Sequence, residues 1–247
     1  LRPAKGYKGN ALNYKDNIDL VVFRENTEDL YCGVEFAPVP EEVAQVLAKH
    51  SKPFSVFNGL GADDYAINCK INTKKGSEKI IRAAFEFARQ NNRKKVTIVH
   101  KANVVRATDG LFFDIAKEVK KDYPEIQMDD ANIDAITMWL LKNPHNYDVL
   151  VATNLFGDII SDLCAQMVGG LGFGCSGNIG EKLAVFEPTH GSAPKYFGQY
   201  KVNPIATILA AKMMLEWLGE TELAEKVENA VARVIEEGKF KTYDMGG

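Results

Sequence analysis

The chain has 247 residues, of which 46% are hydrophobic and 26% are charged. This composition is that of a globular protein and excludes a disordered or fibrous chain. Lysine and arginine together number 30 against 33 acidic residues, a net charge of −3, and no basic run is long enough to suggest a nucleic acid or a membrane as partner. We therefore expect a small-molecule ligand, no nucleic acid and no membrane.

The four cysteines lie far apart, at Cys32, Cys69, Cys164 and Cys175. Without a CxxC pair they indicate neither a zinc site nor a disulfide framework, and they suit a reducing compartment. No apolar stretch of about 18 residues is present that would span a bilayer. We predict a soluble cytoplasmic protein, or one of the mitochondrial matrix if its source is eukaryotic. The start at Leu1 and the ending "TYDMGG" suggest a piece of a longer protein.

The first half of the chain alternates predicted strands and helices. The apolar run at 18–23 predicts a buried strand. Residues 29–75 are less regular, and the alternating segment 65–74 predicts a half-exposed strand within an excursion. Ser77 is predicted to cap a helix with an apolar period of 3.6 residues. The strand "KKVTIVH" follows, and Thr108 is predicted to cap the next helix.

The second half continues this alternation. After Pro124 the pattern predicts a brief strand, a helix in "IDAITMWLLKN", a strand in "YDVLVAT" and a helix in "NLFGDIISDL". A strand in "LAVFEP" and a long polar loop come next. Two helices follow, one ending before Gly219 and one capped by Thr221 and ending at Gly238. Regular alternation of strand and helix predicts parallel βαβ packing.

Gly172, Gly174 and Gly177 reproduce the G-x-G-x-x-G spacing of a dinucleotide-binding loop. That loop requires a strand before it and a helix after it, so that the pyrophosphate meets the helix N-terminus. Here a predicted helix precedes the glycines and a predicted strand follows them. We interpret the stretch as a flexible loop between domains.

Asp158 and Asp162 are four residues apart in a predicted helix, so they share a face, about 5–6 Å apart at Cβ. Asp158 alone suits a helix N-terminus, but Asp162 lies among apolar residues, where a carboxylate needs a partner. A divalent metal and a salt bridge to an arginine explain the pair equally well. Asp134, which opens its helix after a strand, is a candidate third ligand. Oxygen-only ligands suit Mg²⁺ or Mn²⁺.

Other polar residues follow predicted strands, where α/β proteins bind ligands. "FRENTEDLY" supplies Arg24 and Tyr31, which also fit a solvated turn. "HKAN" supplies Lys101 and Asn103. A lysine at such an edge is either a surface charge or a partly desolvated acid/base group with a lowered pKa.

Six motifs, taken together and in order, resemble the β-decarboxylating dehydrogenases, the family of isocitrate, homoisocitrate and 3-isopropylmalate dehydrogenases. They are "FRENTEDLY", "HKAN", "NLFGDIISD", "GNIG", "FEPTHGSAPKY" and "KVNP". The resemblance spans the chain and is closest to isocitrate dehydrogenase, although the family's N-terminal segment, with its Ser/Asn/Arg substrate loop, is missing. It implies an α/β fold with partly parallel sheets, helices on the faces, an incomplete second domain and a clasp-like excursion.

The resemblance also implies a division of the chain. Residues 1–28 and 73–168 are expected to form a small α/β domain for substrate, metal and dimer contacts. Residues 29–72 are expected to form the clasp-like excursion, and 169–247 the C-terminal part of the large cofactor domain.

The activity that the resemblance implies is oxidative decarboxylation of isocitrate, a 2-hydroxy tricarboxylate, to 2-oxoglutarate and CO₂ with reduction of NAD(P). Mg²⁺ or Mn²⁺ would be held by Asp158 and Asp162, with Asp134 of the partner subunit, and would stabilise the enolate charge. Arg2 and Arg24 are expected to bind the carboxylates of the substrate. Asn103 is expected to lie near the nicotinamide and the substrate.

Tyr31 and Lys101 would be the acid/base groups. By resemblance, Lys101 reaches the other subunit's site to help remove the hydroxyl proton, and Tyr31 helps protonate the enol carbon. The protein is therefore expected to be a homodimer with shared active sites. The alternatives are a homoisocitrate or 3-isopropylmalate dehydrogenase, or a noncatalytic regulatory subunit of a heteromeric isocitrate dehydrogenase.

The cofactor is expected to contact the loop 190–203. The residues that match adenosine-contacting positions of the family are His190, Gly191, Ala193 and Asn203. Lys195 and Tyr196 match the pair that meets the 2′-phosphate in NADP-preferring members, and Tyr243 is a further cofactor position. Because a cation stabilises a phosphate, this pair favours NADP. NAD stays possible because Tyr200 replaces a common aspartate and Gly247 a frequent arginine.

Overall fold

The computed structural model describes residues 1 to 247. Its strands are β1 (Arg2–Lys5), β2 (Asp19–Arg24), β3 (Glu35–Phe36), β4 (Ile67–Asn68), β5 (Lys95–His100), β6 (Gln127–Asn132), β7 (Val149–Ala152), β8 (Cys175–Ile179) and β9 (Ala184–Pro188). Its α-helices are α1 (Glu41–His50), α2 (Lys74–Gln90), α3 (Thr108–Lys120), α4 (Ile133–Lys142), α5 (Asn154–Met167), α6 (Ile205–Trp217) and α7 (Thr221–Glu237). None of the helices combines the length and apolarity needed to cross a bilayer.

A five-stranded sheet with the order β1-β2-β7-β5-β6 lies at the centre of the first 170 residues. β1 is antiparallel to β2, and the other neighbouring strands are parallel. Parallel neighbours require crossover connections, and helices α2, α3 and α4 provide them. The predicted parallel βαβ packing is confirmed.

The side chains of β2 alternate between two apolar layers. Val21 and Phe23 pack with α2 and α3, whereas Leu20 and Val22 pack with α4 and α5. Successive residues of a strand point to opposite faces, so a strand covered by helices on both sides needs a continuous apolar run. The run at 18–23 is such a signature, and the predicted α/β class with helices on both faces is confirmed.

A third apolar cluster joins α6, α7 and β8, and includes Phe173, Cys175, Met213 and Ile235. β8 pairs antiparallel with β9, so the second half of the Gly-rich stretch is a strand and not the flexible loop that we predicted. The glycines lead into this strand instead of a helix, which agrees with our rejection of the dinucleotide motif. A Cβ at Gly177 would lie 3.1 Å from the Phe186 ring, so packing favours glycine at this position.

The excursion at 29–72 differs most from prediction. The alternating segment forms only the short β4, which pairs antiparallel with β3. Helix α1 and the 3₁₀ turns Asp29–Cys32 and Lys52–Phe57 were not predicted. Pro40 lies at the N-cap of α1, and α1 buries no side chain, so the usual cap and core signals of a helix are both absent there.

Helix starts also differ from prediction by a few residues. The cap of α2 is Thr73, whose hydroxyl accepts a hydrogen bond from the Gly76 N–H at 3.0 Å. Ser77 lies inside that helix, and Thr108 and Thr221 are the first residues of α3 and α7 instead of their caps. The predicted stop at Gly238 is confirmed, because its φ of 62° lies in the left-handed region that glycine enters without strain.

Gly157 brings α5 into close contact with β2. A Cβ at this position would lie 2.7 Å from the Cβ and Cγ of Arg24, which is closer than van der Waals contact allows. Gly157→Ala should therefore push the helix away from the strand and lower the free energy of unfolding by about 1–3 kcal/mol, as overpacking does elsewhere. Urea denaturation measures the loss.

Gly110→Ala is the matched control for this substitution. Gly110 lies in α3 with open space around its Cα, so an added methyl group should leave stability unchanged or raise it through helix propensity. Equal effects of the two substitutions would contradict the close approach of Gly157 to Arg24.

Candidate active site

Segments from five strands meet at one edge of the central sheet. Arg24 is the last residue of β2, Lys101 follows β5, Asp134 follows β6, and the helix that carries Asp158 follows β7. These four strands are parallel, so their carboxyl ends lie at the edge where α/β proteins bind ligands. Arg2 joins them because β1 runs antiparallel to β2 and begins at that edge.

Asp158 binds two arginines and one tyrosine. Its Oδ1 accepts hydrogen bonds from Arg2, at 3.2 Å, and from Arg24. Its Oδ2 accepts the Tyr31 hydroxyl at 2.7 Å. The Arg24 guanidinium also lies 4.8 Å from the centre of the Tyr31 ring. The hydrogen bond to Asp158, with burial as a smaller effect, raises the pKa of Tyr31, so the phenol is held in its neutral form.

Arg2 provides the positive charge between the two aspartates. Its Nη1 lies 3.2 Å from Asp158 Oδ1 and 3.4 Å from Asp162 Oδ1, and it donates to Ser161 at 2.7 Å. Within one protomer the two carboxylates are therefore bridged by a guanidinium, which is one of the two explanations that the sequence left open. The Asp162 side chain is 58% exposed, whereas that of Asp158 is 30% exposed. The Asp162 carboxylate is therefore accessible to other partners.

The donor set of Asp158 and Asp162 fits a hard divalent cation. Mg²⁺ is commonly held by one or two carboxylates together with waters and substrate oxygens. Arg2 Nη1 marks a position that one oxygen of each aspartate reaches, so a positive charge fits between them. No group of three or more His, Cys, Asp or Glu side chains in the chain is arranged to hold a metal. Asp134 therefore does not join the pair within one protomer.

Lys101 and Asp134 form a separate pair. Lys101 Nζ donates to Asp134 Oδ1 at 2.5 Å, and this hydrogen bond lowers the pKa of the Asp134 carboxyl group. The Asp134 side chain is 67% exposed, and Asn103 is exposed on the turn that follows Lys101. No hydrogen bond or ion pair connects these residues with Arg2, Arg24, Tyr31, Asp158 or Asp162.

The residues expected to meet a 2′-phosphate lie together. The rings of Tyr196 and Tyr243 are 5.6 Å apart, and Lys195 Nζ lies 4.8 Å from the centre of the Tyr196 ring. Lys195 and Tyr243 are exposed. The three side chains therefore present an ammonium and two phenols on one accessible surface.

The residues expected to contact adenosine lie before and after this cluster. Asn203 is buried and is fixed by Asp244 and by the Ile205 N–H, each at 3.0 Å. Gly191 is exposed, and Ala193 has a left-handed φ of 45°. The Nε2 atom of His190 is buried without a hydrogen-bond partner, and its Nδ1 atom lies 2.8 Å from the Gly191 carbonyl oxygen.

Asn154 and Ser161 belong to the site but were missed in the sequence. Asn154 accepts a hydrogen bond from Arg24 Nε at 2.9 Å, and Ser161 accepts one from Arg2. Together with Asp158 and Asp162 they follow helical spacing along one face of α5. That polar stripe is visible in "NLFGDIISD" and would have identified them.

Comparison with known proteins identifies the relatives of this chain. A family model described as isocitrate/isopropylmalate dehydrogenase matches residues 1–247. The chain is 48% identical to the 3-isopropylmalate dehydrogenase of Archaeoglobus fulgidus, over all of this chain and 68% of that protein. It is 43% identical to a Caenorhabditis elegans protein named probable isocitrate dehydrogenase (NAD) subunit alpha, mitochondrial, over all of this chain and 62% of that one.

The fold agrees with a solved member. The crystal structure of isocitrate dehydrogenase from Methylococcus capsulatus matches with a TM-score of 0.86 and 43% identity, covering 99% of this chain and 66% of that one. The chain therefore spans roughly two thirds of the length of these proteins, from 62% to 68%.

Fold and relatives together place the chain among the β-decarboxylating dehydrogenases, a family of oxidoreductases. Members of this class generally use a divalent metal and a nicotinamide cofactor and bind small hydroxy acids. The chain belongs to the isocitrate/isopropylmalate dehydrogenase family, and the resemblance inferred from the six motifs is confirmed.

Proposed function

We propose that the intact protein is an isocitrate dehydrogenase that forms 2-oxoglutarate and CO₂ with Mg²⁺ or Mn²⁺ and NADP. The observation that carries the proposal is the contact of Asp158 with Arg2, Arg24 and Tyr31. This contact brings together, at one edge of the sheet, a carboxylate that can bind a cation, two arginines that can bind substrate carboxylates and a tyrosine that can transfer a proton.

Each group in this cluster has a chemical role in the proposal. Arg2 and Arg24 bind substrate carboxylates through paired hydrogen bonds, for which planar guanidinium groups are suited. Tyr31, held neutral, donates a proton to the enol carbon after CO₂ leaves. A divalent cation at Asp158 and Asp162 supplies Lewis-acid stabilisation of the developing oxyanion.

We further propose a homodimer in which each site takes Lys101 and Asp134 of the partner subunit. Three observations support this arrangement. Lys101 and Asp134 pair with each other and make no ion pair with Asp158. Asp134 is exposed, and α4, which contains it, also exposes Met138 and Trp139. Large apolar side chains exposed beside one another are typical of a surface that a partner covers.

We also propose the domain division given above, with 1–28 and 73–168 as the substrate, metal and dimer domain. The two apolar layers on the central sheet support it, because they draw on residues from 4 to 168, whereas the third cluster draws mainly on residues beyond 168. On this division residues 29–72 are an excursion from the first domain, and 169–247 belong to the cofactor domain.

Turnover assays on the intact protein test the substrate. We expect NADPH formation from isocitrate in the presence of Mn²⁺. Turnover with homoisocitrate or 3-isopropylmalate alone would reassign the substrate within the family. Absence of turnover with all three would favour a regulatory subunit, although the chain retains Tyr31, Lys101, Asp134, Asp158 and Asp162.

Lys195→Asp should reverse the cofactor preference. Replacing the cation by an anion removes a charge-assisted contact to the 2′-phosphate, worth about 1.5–3 kcal/mol, so kcat/KM for NADP should fall about 10- to 100-fold. The value for NAD should stay constant or rise. Steady-state kinetics with both cofactors measure the ratio.

Lys182→Asp is the control, since Lys182 is an exposed lysine outside this cluster. It should affect both cofactors equally and slightly. If Lys195→Asp also lowers kcat/KM for NAD and NADP by the same factor, Lys195 does not discriminate between them.

A further inference from the structure

Lys70 lies at a buried junction between the two proposed acid/base segments. Its Nζ is 2.5 Å from Asp109 Oδ1 and 3.6 Å from Asp29 Oδ1, and it donates to Thr153 at 3.4 Å. Both aspartate side chains are completely buried, at 0% exposure, and that of Lys70 is 14% exposed. A buried carboxylate requires a cation or several hydrogen bonds. Here the single ammonium group of Lys70 is the cation for two buried carboxylates, those of Asp29 and Asp109.

Asp109 connects this ammonium to Lys101. Its Oδ2 accepts a hydrogen bond from the Lys101 backbone N–H at 2.7 Å. Lys101 follows β5 directly, and Asp109 lies in the first turn of α3. The bond therefore closes the loop that carries Lys101 and fixes the point from which its side chain extends.

Asp29 connects the same ammonium to the turn that carries Tyr31. Its Oδ1 accepts the Leu30 N–H at 2.8 Å, and its Oδ2 accepts the Leu155 N–H of α5 at 3.0 Å. Its own N–H donates to the Ile71 carbonyl at 2.8 Å. Asp29 has a φ of 72°, a left-handed conformation that costs free energy for a residue other than glycine and persists only where its surroundings impose it.

We propose that Lys70 is a positioning residue that fixes the Tyr31 turn and the Lys101 loop relative to each other through Asp29 and Asp109. The inference rests on the acid/base roles given to Tyr31 and Lys101 under the proposed function. Those roles assign the two residues of one protomer to different active sites of the dimer. Lys70 therefore links the geometry of one site to that of the other.

Lys70→Met in the full-length protein tests the proposal by kinetics. Removal of the ammonium leaves two buried carboxylates without their cation, and both anchored segments should shift. We expect kcat to fall about 100-fold, as for a displacement of about 1 Å, while KM for the hydroxy acid and the Mn²⁺ dissociation constant change by less than about threefold. Lys70→Arg, which keeps the charge, should recover part of kcat.

Lys121→Met, at an exposed lysine after α3, is the matched control and should leave kcat unchanged. A folded Lys70→Met protein with kcat within about threefold of wild type would overturn the proposal, since even modest misplacement of acid/base groups costs more.

Amide hydrogen exchange tests Lys70 independently of turnover. Lys70→Met should accelerate exchange in 29–32 and 101–107 and leave the β5 amides protected. Unchanged exchange in both segments, or acceleration throughout the chain, would overturn the proposal.

If Lys70→Met does not fold, Asp109→Asn replaces it and should accelerate exchange in 101–107 alone. Unchanged exchange in 101–107 would overturn the proposal. A wild-type protein inactive on every hydroxy acid refutes the proposed function, and the exchange data still decide on Lys70.

Discussion

Asp158→Asn should abolish most of the activity of the intact enzyme. The amide keeps the size of the side chain but removes the charge that a divalent cation requires. Lewis-acid stabilisation is worth several kcal/mol in such reactions, and each 1.36 kcal/mol is tenfold in rate, so kcat/KM should fall about 1,000-fold or more. Steady-state kinetics at saturating Mn²⁺ measure the loss, and a Mn²⁺ titration should show binding at least about tenfold weaker.

Asp114→Asn is the control for Asp158→Asn. Asp114 is an exposed aspartate on α3 whose only ion pair is with Lys117, so neither kcat/KM nor Mn²⁺ affinity should change. If Asp158→Asn binds Mn²⁺ like wild type and loses only stability, Asp158 serves solely as the partner of Arg2 and Arg24, and the metal assignment is wrong.

The charges of this site balance before any ligand arrives. Arg2 and Arg24 provide two positive charges, and Asp158 and Asp162 provide two negative ones. A dication and a polycarboxylate can exchange partners with this set, the cation taking the aspartates and the substrate taking the arginines. Each aspartate and each arginine exchanges one oppositely charged partner for another. No ion is left unpaired, so binding avoids the desolvation penalty of an unpaired charge. This accounts for how arginine bridging in one protomer and the proposed metal site use the same two aspartates.

The central sheet could be predicted from sequence because its signals are local. A continuous apolar run such as 18–23 marks a strand buried on both faces, and helical periodicity marks the crossovers. Helix α1 and strand β3 could not be predicted, since α1 buries no side chain and β3 has only two residues. The strand predicted in the segment 65–74 is reduced to the two residues of β4. A segment that buries few side chains has no periodic pattern of apolar residues in its sequence.

The site could be predicted only in part, for a related reason. Residues that end a strand or directly follow one, such as Arg24 and Lys101, were found because a parallel sheet gathers strand ends at one edge. The bridging of Asp158 and Asp162 by Arg2 joins residues 156 and 160 positions apart. The buried pairing of Lys70 with Asp109 spans 39 positions. Such pairings depend on the packed fold and leave no periodic signal.

Lys101→Met should lower kcat about 100- to 10,000-fold, which is the usual contribution of a general acid/base group. KM for the hydroxy acid should change little, because Lys101 contacts Asp134 and none of the groups proposed to bind substrate carboxylates. Tyr31→Phe, which removes only the hydroxyl that contacts Asp158, should have an effect of similar size. Single-turnover kinetics with saturating cofactor measure both.

Mixing these two inactive proteins tests whether the active sites are shared. If each site combines Tyr31 of one protomer with Lys101 of the partner subunit, a hybrid of Tyr31→Phe and Lys101→Met protomers contains one site with both residues intact. When the two proteins are mixed in equal amounts, random exchange of subunits in a symmetric dimer makes half of the dimers hybrids, so activity should return to about one quarter of wild type. Each variant mixed with itself should stay inactive. If both residues served the same site of their own protomer, no hybrid would contain an intact site, and activity would not return at any ratio of the two proteins.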